Sequence, residues 1–159
     1  MKFSTKEDIE APIAHVFAKI SDFDYFENSA RRRGAEIARA DDMEDAGVGM
    51  CWDVGFMMRG KQRQIVIELE AYDAPNSLEF ASRSKGLGGI MTVDLVALSR
   101  GRTRLGLDLE LKPQTLSARL MVQSLKLARG NLNKRFHLRV ADYAKDMEDQ
   151  YKAGFRTTN

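Results

Sequence analysis

From residue 51 to residue 111 apolar side chains keep returning at every second position, and that period constrains the fold more than any other feature. Trp52, Val54 and Phe56 alternate with Cys51, Asp53 and Gly55. Arg63, Ile65, Ile67, Leu69 and Ala71 alternate with Gln64, Val66, Glu68, Glu70 and Tyr72. Leu78 and Phe80 do so against Glu79 and Ala81, and Leu105, Leu107, Leu109 and Leu111 against Arg104, Gly106, Asp108 and Glu110. A period of two sends one set of side chains to one face of a strand. Turn residues separate the runs at Arg59-Gly60-Lys61, Asp73-Ala74-Pro75-Asn76, Lys85 to Gly89 and Ser99-Arg100-Gly101. Connections this short make antiparallel hairpins. The resulting sheet is apolar on one face and must be covered.

The last segment supplies the cover. Thr115 suits an N-cap, and a helical pattern then runs to about Lys152. Ala118, Met121, Leu125, Ala128, Leu132, Phe136, Val140, Tyr143 and Met147 step by three or four and form one stripe. Gly130 lies near the middle, where glycine weakens a helix by about 1 kcal/mol relative to alanine, so a kink or break is expected there. At the other end, Phe3, Thr5, Glu7 and Ile9 share one face of a strand. Pro12 opens a short helix carrying Ile13, Val16, Phe17 and Ile20; a second runs from Asp22 or Phe23 to about Arg33, with Gly34 after it. The pattern predicts one α+β domain over residues 1–159. It has a curved antiparallel sheet of about seven strands, two short helices between strands 1 and 2, and a long C-terminal helix. One helix cannot fill the concave side of such a sheet. A cavity or a plug of large side chains must occupy the rest.

Composition removes several alternatives. Hydrophobic residues make up 43% and charged residues 30%, enough for a core without staples. A net charge of +2 gives no global field for nucleic acid, and no nucleic-acid motif is present. Cys51 stands alone, so neither a disulfide nor a cysteine zinc site can form within the chain. The first residues, MKFSTKEDIEAP, lack the apolar stretch of a signal peptide, and no apolar run reaches the roughly 20 residues of a membrane span. A cytoplasmic protein with no integral membrane association is expected.

Several local patterns are similar to a known family. Ile9-Glu10-Ala11-Pro12 followed by Val16-Phe17 and Ile20-Ser21-Asp22-Phe23 resembles the entry signature of the START-like (SRPBCC, helix-grip) superfamily, in its polyketide cyclase/dehydrase branch. Gly49-Met50-Cys51-Trp52 leading into a strand, the segment Tyr72 to Phe80, and Gly101-Arg102-Thr103-Arg104-Leu105 resemble its later landmarks. The resemblance spans nearly the whole chain. It implies a ligand cavity between sheet and long helix, in a family of lipid and sterol carriers, coenzyme-Q-binding proteins and aromatic polyketide cyclases. It implies no universal catalytic motif.

The side chains offer few candidates for chemistry. His15 and His137 both fall off the buried stripes and are expected to face solvent; neither has a nucleophile or metal partner in view. Glu7 and Arg63 fall on inward faces, where a charge is costly unless paired or wet, so they are the candidate acids, bases or ligand anchors, the alternative being that they sit hydrated at strand ends near the cavity mouth. Asp94 is a weaker one. Trp52, Phe56, Arg63, Phe80, Met121, Leu125, Leu132 and Phe136 are the candidate ligand-binding residues. Lys85-Gly86-Leu87-Gly88-Gly89 lacks the ending of a phosphate loop and is expected to be a hairpin loop; Cys51 points outward as a spectator. Arg31-Arg32-Arg33 and the run of basic residues between Thr115 and Val140, a stretch without acids, are expected to form solvated faces, with a site for an acidic ligand head-group or an anionic membrane surface as the alternative. Leu116, Leu120, Leu127 and Leu138 share a face away from the main stripe, which points to a partner such as a second copy of the chain. The leading expectation is binding of a small hydrophobic ligand (a lipid, quinone or polyketide-like aromatic), with no cofactor and no metal. The alternatives are a cyclase, dehydratase or hydrolase using the same cavity, and an interaction protein acting through the C-terminal helix.

Overall fold

The structure is a computed structural model and describes residues 1–157. Its elements run β1 (Lys2–Ile9), α1 (Ile13–Ile20), α2 (Phe23–Arg32), β2 (Glu36–Arg39), β3 (Cys51–Met58), β4 (Lys61–Asp73), β5 (Ser77–Ser84), β6 (Leu87–Ser99), β7 (Arg102–Pro113), α3 (Leu116–Leu127) and α4 (Arg129–Thr157). The seven strands form one antiparallel sheet in the order β1-β7-β6-β5-β4-β3-β2. Hairpins therefore lead from β2 to β7, and β1 pairs beside the last strand. The two short helices fill the crossing from one edge of the sheet to the other.

Alternation sets the register. On β1, Phe3, Thr5 and Ile9 are buried and Glu7 is half-buried, while their neighbours face out. Trp52 lies opposite Ile67, Phe56 opposite Arg63, Phe80 opposite Leu69 and Met91, and Val93 opposite Leu107, so these side chains share the concave face. The most completely buried side chains include Ile9, Val16, Leu69, Leu78 and Met147. They come from β1, α1, β4, β5 and α4, so the solid core sits where α1 and the later turns of α4 meet the sheet. Each such side chain contributes about 1.5–3 kcal/mol. Asp22 caps α2 by accepting from the Tyr25 amide at 3.2 Å, and Thr115 caps α3 by accepting from the Ala118 amide at 3.1 Å.

Four expectations need correction. The long helix breaks at Ala128, two residues before Gly130: the Ala128 amide turns to the Leu125 carbonyl at 3.0 Å, which tightens and ends α3. Ala128 is therefore exposed and leaves the stripe. The loop at residues 85–89 is tighter than expected, since β6 begins at Leu87 and takes in Gly88 and Gly89. Neither histidine is a free surface group. His137 Nδ1 lies 2.7 Å from the buried Thr5 hydroxyl, because α4 also packs on β1 and buries a second flank beside its apolar stripe. His15 Nε2 lies 3.2 Å from the Met147 carbonyl with its ring 5.0 Å from Tyr151, because the end of α4 covers that side of α1.

A candidate ligand cavity under the sheet

α2 and α4 approach the concave face from different sides and leave a cavity of about 530 Å³ between them. Trp52, Val54, Ile67, Phe80, Met91 and Leu107 belong to its sheet wall. The helices contribute Phe23, Phe26, Glu27 and Ala30 from α2 and Phe136, Arg139, Val140 and Tyr143 from α4. Phe26 and Arg139 are exposed, so the cavity opens between these two helices. Edge-to-face contacts stiffen the wall: Phe23 meets Trp52 at 5.4 Å and Phe80 at 6.1 Å between ring centroids.

Polar groups on this wall are few. Glu27 is 8% exposed and accepts a hydrogen bond from Trp52 Nε1 at 3.0 Å. Helical spacing explains its position, one turn after the buried Phe23. Arg39 lies over the Trp52 ring, 5.7 Å from its centroid, held there by Asp41. The Arg39 guanidinium beside Asp41, with the Cys51 and Met43 amides, holds the Asp41 carboxyl well below the usual carboxylate range. Tyr143 donates its hydroxyl to the Lys19 carbonyl at 3.2 Å, and burial pushes its phenol above the ordinary value, so it stays neutral. Arg139 stands at the mouth with no ion pair among the described residues.

Of the residues singled out from the sequence, Trp52, Phe80 and Phe136 line the cavity. Phe56 and Arg63 face the same side of the sheet, nearer the β3–β4 turn and outside the lining; the Arg63 Nε is buried there without a hydrogen-bond partner. Met121, Leu125 and Leu132 are half-buried along α3 and the start of α4, and Glu7 is half-buried on β1, all outside the lining. Asp94 is exposed on the convex face. Burial, then the nearby Glu68 carboxylate, pushes the Cys51 thiol up and away from reactivity. No cluster of metal-ligating side chains occurs among the described residues. Sequence reasoning missed Glu27 and Arg139 as wall residues, and it placed Tyr143 on the covering stripe without naming it a ligand contact. For Glu27 the signal was its spacing from Phe23, which hydrophobic periodicity cannot register because it scores apolar residues alone.

A seven-stranded sheet gripping a C-terminal helix, with two short helices after the first strand, is the helix-grip fold of START-like (SRPBCC) proteins. Among solved structures, a protein from Thermus thermophilus superposes with a TM-score of 0.64 at 16% identity, covering 97% of this chain and 99% of its own. The Zhui aromatase/cyclase from Streptomyces sp. R1128 gives a TM-score of 0.60 at 11% identity, over 84% of this chain and 88% of its own. A START superfamily protein from Mycobacterium smegmatis gives 0.56 at 12% identity, over 84% and 95%. No protein-family model matches the sequence, and no curated protein does. No helix among the described residues is long and apolar enough to cross a membrane.

Proposed function

We propose that the chain binds a small hydrophobic molecule (a lipid, a quinone or a polyketide-like aromatic) in the cavity between the sheet and α4. The observation that carries this reading is the empty apolar volume itself. About 530 Å³ stands open between the sheet and the helices, and that lies within the range of small-molecule sites. Trp52, Phe80 and Phe136 contact the ligand, Arg139 borders its entrance, and Arg63 serves only a ligand long enough to extend toward the β3–β4 turn. Native mass spectrometry of gently purified protein should find an apolar molecule bound, and its release should change emission from Trp52, the single tryptophan. Protein that arrives empty and takes up no hydrophobic probe would refute the reading.

An enzyme of cyclase, dehydratase or hydrolase type is the second reading, favoured by the Glu27 carboxyl on an apolar wall. The exposed leucines of α3 and α4 favour a further role in association: Leu116, Leu120, Leu127 and Leu138 are 73%, 62%, 92% and 56% exposed. A homodimer through this surface should raise the mass in solution with concentration.

A further inference from the structure

Four side chains bring nitrogen or oxygen to the cavity wall: Glu27, Trp52, Arg139 and Tyr143. Three of them are accounted for. The Trp52 N–H goes to Glu27, the Tyr143 hydroxyl donates to Lys19, and the Arg139 guanidinium stands at the mouth where water reaches it. Glu27 is different. Its Oε1 accepts from the indole, but no hydrogen bond among the described residues reaches Oε2. That oxygen is not sealed off either, since the only sealed and unpartnered side-chain polar atom among the described residues is the Arg63 Nε. In a residue this buried that also lines the cavity, Oε2 opens onto the cavity. The Arg39 guanidinium feels the Glu27 charge but makes no hydrogen bond to it, because its hydrogen bonds run to Asp41 and the Met43 carbonyl.

We infer that the cavity selects apolar ligands carrying a hydroxyl donor (a phenol, enol or alcohol), which Glu27 receives at Oε2; this rests on the binding role proposed above. A ligand that fills the cavity displaces the water that solvates this oxygen. A plain hydrocarbon then leaves a carboxylate facing carbon, and an ether or ketone sets its lone pairs against those of the carboxylate; both are costly. A hydroxyl replaces the lost water bond with one to a charged acceptor, the stronger kind of hydrogen bond. The indole holds Oε1 in place, so the direction of Oε2 is set before the ligand arrives. A site with a group waiting to be paired discriminates more sharply than a hydrocarbon pocket can.

Three probes of one shape test this: pyrene, 1-methoxypyrene and 1-hydroxypyrene, titrated calorimetrically into the protein and into Glu27→Gln. The hydroxyl probe should bind the unaltered protein about tenfold or more tighter than the other two. In Glu27→Gln the side-chain carbonyl still accepts from Trp52, but an amide donor now faces the cavity. The preference should then vanish or pass to the methoxy probe. Equal affinities for all three probes, or a hydroxyl preference that survives Glu27→Gln, would overturn the assignment of Glu27 while leaving the binding role intact. Failure of every probe to bind would overturn both.

Discussion

Asp41 gathers three donors beside the β2 edge: the Arg39 guanidinium and the amides of Met43 and Cys51. It thereby fixes Arg39 over the Trp52 ring and the start of β3 at once. Its carboxyl titrates lower in the folded chain than in the unfolded one, so the stabilisation is complete above about pH 4 and is lost as pH falls through the folded value. Asp41→Asn should therefore lower the melting temperature by the same amount from pH 5 to 8, with the gap to the parent protein closing below pH 4. Thermal melts across that range check it. At this scale the sequence was legible where residues are apolar and periodic: spacing alone put Trp52, Phe80 and Phe136 on the inward side. It put Phe56, Met121, Leu125 and Leu132 there too and could not tell lining from core. His137 and Glu27 could not be picked this way, because their burial depends on Thr5 and Trp52, distant residues that satisfy their polar atoms.

The break between α3 and α4 belongs to the next scale. Gly130 drew attention to this region, yet the chain turns at Ala128, where the Leu125 carbonyl captures the amide. Glycine marks where a helix is weak; packing decides where it bends. Two glycines then make opposite predictions. Gly86 turns the β5–β6 hairpin at φ +74°, and a Cβ there would collide with the Thr115 hydroxyl that caps α3. Gly86→Ala should destabilise the protein by more than about 1 kcal/mol, since it strains the turn and disturbs the cap together. Gly130→Ala meets open space in the first turn of α4 and should stabilise by up to about 1 kcal/mol. Urea unfolding of both variants decides the pair.

At the scale of the whole molecule the cavity matters most, and here the sequence is least informative. Alternation and hairpin turns predict seven strands and their covering helix. They cannot say whether the concave side is filled, because that depends on how far α2 and α4 stand apart. Ala30, on α2, is the smallest side chain of the lining. Ala30→Phe should sharply weaken uptake of hydrophobic probes while leaving the melting temperature unchanged or raised, since filling a hollow adds contacts and a phenyl ring brings no polar group. A melt beside a probe titration reads both outcomes.

The sheet never closes, so β1 and β2 each keep one side without a neighbouring strand. Such borders invite identical molecules to join, strand to strand, into fibres. One border offers only the four residues of β2, and the other carries Lys2, Lys6 and Asp8 along β1. The margins of this open sheet are too short on one side and too charged on the other to template growth from strand to strand.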